Sequence, residues 1–153
     1  MKPTLLLTIL AALVASGIAL ATPGSGIVSA PVLARATFPD HFKIKLRDSS
    51  QGADVVVQQV TIAPGGQTGW HTHPGPAIVL VKSGTFTLYD GDDPSCTGHA
   101  YGPGQGFVDP GYGHVHVGRN EGATNVELYV TFLDVPVGGA PRIDAANPGN
   151  CPF

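Results

Sequence analysis

The chain has 153 residues, of which 12% are charged, and its formal net charge is −3. Its 21 glycines and 14 prolines interrupt long helices, which excludes a helical bundle or coiled coil. The 42% apolar content argues against disorder, and eight basic residues against eleven acidic ones leave no basic face for nucleic acid. The composition therefore predicts one turn-rich, all-β domain.

The N-terminal segment has the pattern of an export signal. Lys2 precedes an apolar stretch over 5–20, and Ala19-Leu20-Ala21 has the small-x-small form that a signal peptidase needs. A membrane anchor is the alternative, disfavoured because the apolar stretch is short for a span. We predict a signal peptide over 1–21, with cleavage after Ala30 as a second option. The mature protein is expected outside the cytoplasm, without membrane attachment.

If the protein is exported, its two cysteines are expected to form a disulfide. Cys96 and Cys151 both follow the signal, and an oxidising compartment favours their pairing. Such a bridge would tie a Pro/Gly-rich tail to the domain and contribute about 4 kcal/mol in the chain-entropy model. Two free thiols are the alternative.

Hydrophobic alternation and turn residues divide the remaining chain. We predict an N-terminal linker and edge strand at 22–52, a barrel at 53–135 and a Pro/Gly-rich tail at 136–153. The edge strand is expected at 38–46, and 90–104 is expected to be a long loop. Further short strands are predicted at 53–62, 70–73, 77–81, 85–89, 107–108, 114–117 and 126–133. Alternating short strands of this kind favour a closed or two-sheet β-barrel.

Four of the six histidines form two His-x-His pairs. His71 and His73 are two residues apart, and so are His114 and His116. Residues i and i+2 of a strand point to the same face, so each pair presents two imidazoles in one direction. If the two strands are neighbours and face inward, up to four imidazoles converge on a metal.

The spacing around these pairs resembles the cupin family over about 53–133. The first cupin motif places glycines before and after His-x-His, and the corresponding residues here are Gly65, His71, His73 and Gly84. The second motif contains Gly, Pro, Gly, His and Asn, and the corresponding residues are Gly104, Pro110, Gly111, His116 and Asn120. The resemblance implies a double-stranded β-helix, or jelly-roll barrel, with a metal inside its mouth.

Two departures from the motifs affect the implied site. The Glu ligand of the first motif is absent, with Ala77 in its place or Ile78 in the other register. The spacing from Pro110 is one residue too long for His116 and one too short for His114. The His-x-x-x-Asn relation selects His116, so the resemblance implies His71, His73 and His116 as ligands. His114 is then an extra ligand or a partner of the ligands.

The function implied is the binding of a divalent transition metal, with Fe, Mn, Zn, Ni and Cu all open. Three neutral imidazoles leave such a site with its full +2 charge, which favours anionic ligands. One hypothesis is a metal-dependent enzyme of dioxygenase type acting on a small molecule. The alternative is a non-catalytic module that binds a metal or small ligand. A purely structural domain is a third reading, and homodimerisation is expected only by analogy.

Overall fold

The computed structural model of the protein describes residues 25–26, 29–47 and 52–153. The chain forms two compact units, Met1–Pro31 and Val32–Phe153, and every strand given below lies in the second unit. The predicted signal segment 1–21 lies outside the described residues. Within the described ranges, no helix is long and apolar enough to cross a membrane.

The described part of the chain folds into nine strands. They are β1 (Asp54–Ile62), β2 (His71–Thr72), β3 (Ala77–Ser83), β4 (Phe86–Asp90), β5 (His99–Tyr101), β6 (Gly106–Asp109), β7 (His116–Arg119), β8 (Val126–Val135) and β9 (Ile143–Asp144). Antiparallel pairing gives a four-stranded sheet in the order β1-β8-β3-β6 and a five-stranded sheet in the order β5-β4-β7-β2-β9. The all-β jelly-roll prediction is confirmed.

The main core lies between the two sheets. Alternate residues of β8 are buried from Val126 to Phe132, as expected for a strand with one face on the core. They form one cluster with β3 residues of the same sheet and with Phe86 and Leu88 of β4 in the other. A smaller cluster contains Trp70, Val117 and Cys151.

A disulfide joins Cys96 to Cys151, with the two Cα atoms 5.2 Å apart. Cys151 is buried against Trp70 and Val117 in the smaller cluster. The tail is therefore fixed at two points, because β9 also adds to the edge of β2.

Two segments differ from their predicted structure. Residues 38–46 form no strand; only Thr37 makes an isolated bridge, to Gln105 beside β6. The weak alternation there does not bury a face, since Phe42 and Leu46 are 48% and 58% exposed. The predicted loop 90–104 contains β5, which pairs with β4.

The turn before β7 depends on a glycine. Gly111 has φ +65°, and a Cβ built on it would overlap the backbone carbonyl of Gly75. Its amide also donates to Asp109 Oδ2 at 3.0 Å. Any larger residue would push apart the two turns that precede β3 and β7.

Replacing Gly111 by alanine is therefore expected to destabilise the protein by about 3 kcal/mol or more, from left-handed backbone strain plus the clash. Gly104→Ala is the matched control: Gly104 has φ +79° but no atom within 4 Å of its built Cβ. The control should lose only about 1–2 kcal/mol. Urea denaturation of both variants measures the difference, and equal losses would show that the contact with Gly75 is unimportant.

Candidate metal centre

Three imidazoles converge where β2 meets β7. His71 lies directly opposite His116 in this antiparallel pair, and His73 follows His71 by two residues. The ring centroids are 4.4 Å apart for His71 and His116, 4.8 Å for His71 and His73, and 5.2 Å for His73 and His116. All three side chains are buried, and one nitrogen of each lies within 4.8 Å of the others.

Each of these imidazoles has a backbone carbonyl near its Nδ1 atom. His71 Nδ1 donates to Gly69 O at 2.9 Å, and His73 Nδ1 donates to Pro141 O at 2.6 Å. His116 Nδ1 lies 3.4 Å from the carbonyl oxygen of His114. A carbonyl only accepts hydrogen bonds, so the proton is on Nδ1 and the lone pair is on Nε2. The three Nε2 atoms therefore carry lone pairs that could bind a metal.

The environment keeps the three imidazoles neutral. Burial, followed by the nearby His116, lowers the pKa of His71 to about 3. Burial also lowers the pKa of His116 to about 4, although Asp109 acts in the opposite direction. The pKa of His73 is lowered for the same main reason. Neutral imidazole is the form that binds a metal.

His114 lies beside His116, with ring centroids 5.7 Å apart, and its two ring nitrogens face carboxylates. Its Nδ1 lies 2.7 Å from Asp109 Oδ1, and its Nε2 lies 3.4 Å from Asp90 Oδ1. The hydrogen bond to Asp109 raises the pKa of His114, against the effect of burial. The sequence places 114–117 in one strand, but β7 begins only at His116, so His114 precedes the strand.

Asp109 brings a carboxylate to the site that sequence reasoning missed. In the β3–β6 pair it lies directly across from Ala77, the residue at the position of the absent Glu. Its side chain is 2% exposed, and Oδ1 lies 3.4 Å from His116 Nδ1. Asp109, His114 and His116 also form a second group with the composition of a metal site. The position of Asp109 beside the histidines follows from the register of β3 and β6. In the sequence, the one sign of it is that Asp109 directly precedes Pro110-Gly111.

The tail contributes two further site residues that the sequence did not indicate. Pro141 accepts the hydrogen bond of His73, and the next residue, Arg142, lines the same cavity as His71 and His73. β9 fixes this segment by pairing Ile143 with Thr72. Nothing in the local pattern of 136–153 predicts this placement.

His71 and His73 open onto a cavity of about 600 Å³, here called the mouth cavity, whose lining does not include His116. It is lined by Gln58, Val60, Thr61, Ile62, Ala63, Gly66, Gln67, Thr68, His71, His73, Phe132 and Arg142. A second cavity of about 280 Å³ adjoins His114, Asp90 and Asp109. Tyr112 donates a hydrogen bond to Asp134 and receives one from the amide of Arg47 at 2.9 Å.

The donor set is suited to a transition metal. Three neutral nitrogen donors with fixed tautomers match the preferences of Zn, Cu, Fe and Ni. The hydrogen bond from the far nitrogen of each imidazole is the support that metal-binding histidines usually have. The residues present therefore form a three-His group that could hold a metal.

A two-sheet antiparallel barrel with histidines at its mouth defines the cupin class of fold. The family model described as "Cupin domain" matches residues 58–132. The chain belongs to the cupin superfamily, as the motifs predict. A search of curated protein sequences gives no match.

Several solved structures are similar to the chain. An oxalate oxidase is 26% identical with a TM-score of 0.46, covering 53% of this chain and 42% of its own. A sugar phosphate isomerase of a cupin superfamily from Silicibacter pomeroyi is 22% identical with a TM-score of 0.44, covering 52% and 50%. The polyketide cyclase RemF from Streptomyces resistomycificus is 20% identical with a TM-score of 0.49, covering 63% and 66%. The chain thus spans less than two thirds of each, and none of these activities is carried over to it.

Proposed function

We propose that the protein is a metal-binding cupin that holds one divalent transition metal through Nε2 of His71, His73 and His116. The observation that carries the proposal is the acceptor beside each Nδ1, which leaves three buried lone pairs directed by the fold. Three protein ligands leave coordination positions for a small molecule. When bound, such an ion acts as a Lewis acid towards an oxygen or sulfur atom of that molecule.

The surrounding residues have separate tasks in this proposal. Gly69 and Pro141 orient two of the imidazoles through their carbonyl oxygens. Phe132 packs against His73 with ring centroids 4.9 Å apart and limits access of water from that side. His114 acts on the centre through Asp109 and is assigned no ligand role.

We also propose that the protein works outside the cytoplasm. The export-signal pattern of 1–21 and the Cys96–Cys151 disulfide both support this location. Fractionation of cells that express the full chain, with processing followed by mass spectrometry, tests it. Recovery of the unprocessed chain in the cytoplasm would contradict it.

Elemental analysis of protein isolated from its native compartment tests the metal proposal directly. One divalent transition metal per chain is expected, with uptake of one Zn²⁺ or Co²⁺ after stripping with a chelator. Protein that carries no metal and takes up none would overturn the proposal.

A non-catalytic binding function is the second candidate, and one observation favours it. Among the described residues that line the mouth cavity, Arg142 is the one titratable group besides His71 and His73, so this cavity itself offers no separate general acid or base. Oxygen consumption with a panel of thiols, diketones and phenols separates the two functions. Turnover would establish the dioxygenase-type reaction, and a loaded but inactive protein would establish the binding module.

Replacing Asp109 by asparagine is expected to weaken metal binding by roughly tenfold to a hundredfold, because Asp109 supports His116 and His114 without being a ligand. Competition of Zn²⁺ against a chromophoric chelator measures the change. A complete loss of binding would instead identify Asp109 as a ligand.

A further inference from the structure

The mouth cavity has a single fixed charge of its own. Arg142 lines it beside the buried His71 and His73. The other lining residues contribute amides, hydroxyls, backbone and apolar surface, and among the described residues that line this cavity none is acidic. The cavity therefore has a positive potential even before a metal is bound.

The backbone on both sides of Arg142 is held in place. Pro141 accepts from His73 Nδ1, and Ile143 pairs with Thr72 in the β2–β9 ladder. The guanidinium lies beside the turn that leads into β2, since a Cβ built on Gly69 would be 3.5 Å from Arg142 Nη2. The arginine is thus positioned next to His71 and His73 by the fold.

The ion pair of Arg142 does not cancel its charge in the cavity. Arg142 Nε donates to Asp144 Oδ1 at 2.8 Å, but the Asp144 side chain is 85% exposed, so water and salt screen this carboxylate. The contact uses the Nε donor of a group with five N–H donors. The Nη donors form the fork that suits a carboxylate.

The remaining lining describes the rest of the ligand. Val60, Ile62 and Phe132 offer apolar surface, and Gln58, Gln67 and Thr68 offer hydrogen bonds. A volume of about 600 Å³ is in the range of small-molecule sites. The lining matches a molecule with one anionic end and an apolar body.

We propose that Arg142 makes the mouth cavity selective for a small carboxylate whose anionic group meets the guanidinium beside the metal centre. The inference rests on the proposed function, because the ligand enters the cavity that His71 and His73 line. The inference adds a class of ligand, small carboxylates, to the proposed function. It also assigns the selectivity to Arg142 of the tail, which lies outside the region that matches the family model.

Calorimetric titration with benzoate and benzamide, which share a shape and differ in charge, tests the proposal. Zn²⁺-loaded full-chain protein is expected to bind benzoate at least about tenfold more tightly than benzamide. Arg142→Gln should weaken the binding of benzoate by roughly tenfold to a hundredfold. It should change the affinity for benzamide by less than about threefold. Arg142→Lys, which keeps the charge but not the fork, should retain part of the preference.

Lys82→Gln is the matched control, because it also removes one positive charge but at a residue that pairs with Glu127 rather than one that lines the cavity. It should bind benzoate as the wild type does. Equal affinity of the wild type for both probes, binding of neither, or an Arg142→Gln variant with unchanged benzoate affinity would overturn the inference.

The metal content of each protein separates this failure from that of the metal proposal. If neither the wild type nor any variant binds Zn²⁺, the proposed function fails. Titration of the metal-free protein with benzoate and benzamide still tests the role of Arg142. There the same preference for benzoate is expected, at lower affinity. If Zn²⁺ is bound but the preference is missing, the carboxylate inference alone fails.

Discussion

Replacing His71 by alanine is expected to weaken the binding of Zn²⁺ by more than about a hundredfold. In the proposed centre His71 is one of three nitrogen ligands. Loss of a residue that supports a ligand typically weakens metal binding tenfold to a hundredfold, and loss of a ligand costs more. With alanine at this position, only His73 and His116 remain to hold an ion. Chelator competition gives the affinity, and elemental analysis after gel filtration gives the stoichiometry.

Two further histidine variants make this result interpretable. His41 is exposed and lines the other cavity, so His41→Ala should keep full metal content. His114→Ala should lose much less affinity than His71→Ala, because both ring nitrogens of His114 face carboxylates. The opposite order, with His114 essential and His71 dispensable, would place the metal in the group of Asp109, His114 and His116.

Removal of the disulfide is expected to lower the free energy of unfolding by about 4 kcal/mol. The bridge closes a loop with a sequence separation of 55, and a loop of that length restricts the unfolded chain strongly. The double variant Cys96→Ser, Cys151→Ser avoids free thiols. Urea denaturation of the metal-free proteins measures the loss without the added stabilisation of a bound ion.

The wild type after reduction and alkylation serves as a second sample without the bridge, and its midpoint should fall with that of the double variant. Because Cys151 is buried beside Trp70, part of the loss will come from altered packing, about 1 kcal/mol for a substitution of this kind. A free-thiol assay on the unreduced protein should detect none. Unchanged midpoints in both samples would contradict the stabilising role.

The strands and the main histidine cluster are predictable because they depend on local periodicity. β8 alternates along its whole length, and its apolar residues are the buried ones. The i, i+2 relation of His71 and His73 correctly predicts one shared face. The cupin motifs then select His116 as their neighbour, and the structure places it directly opposite His71.

The residues that sequence reasoning missed all depend on long-range register. Asp109 approaches the site because β6 pairs with β3, and Arg142 does so because β9 pairs with β2. His114 is predicted to lie in a strand over 114–117, but β7 begins two residues later, at His116. Residues 38–46 alternate weakly, but an alternation that buries no face has no energetic reason to form a ladder.

The hydrogen bond from His73 to Pro141 also has consequences for truncated versions of the protein and for its synthesis. The region that matches the family model ends at residue 132, so a truncated version designed on that boundary would lack the acceptor that fixes the His73 tautomer. During synthesis, the pocket cannot reach its final form until the ribosome has released residue 141.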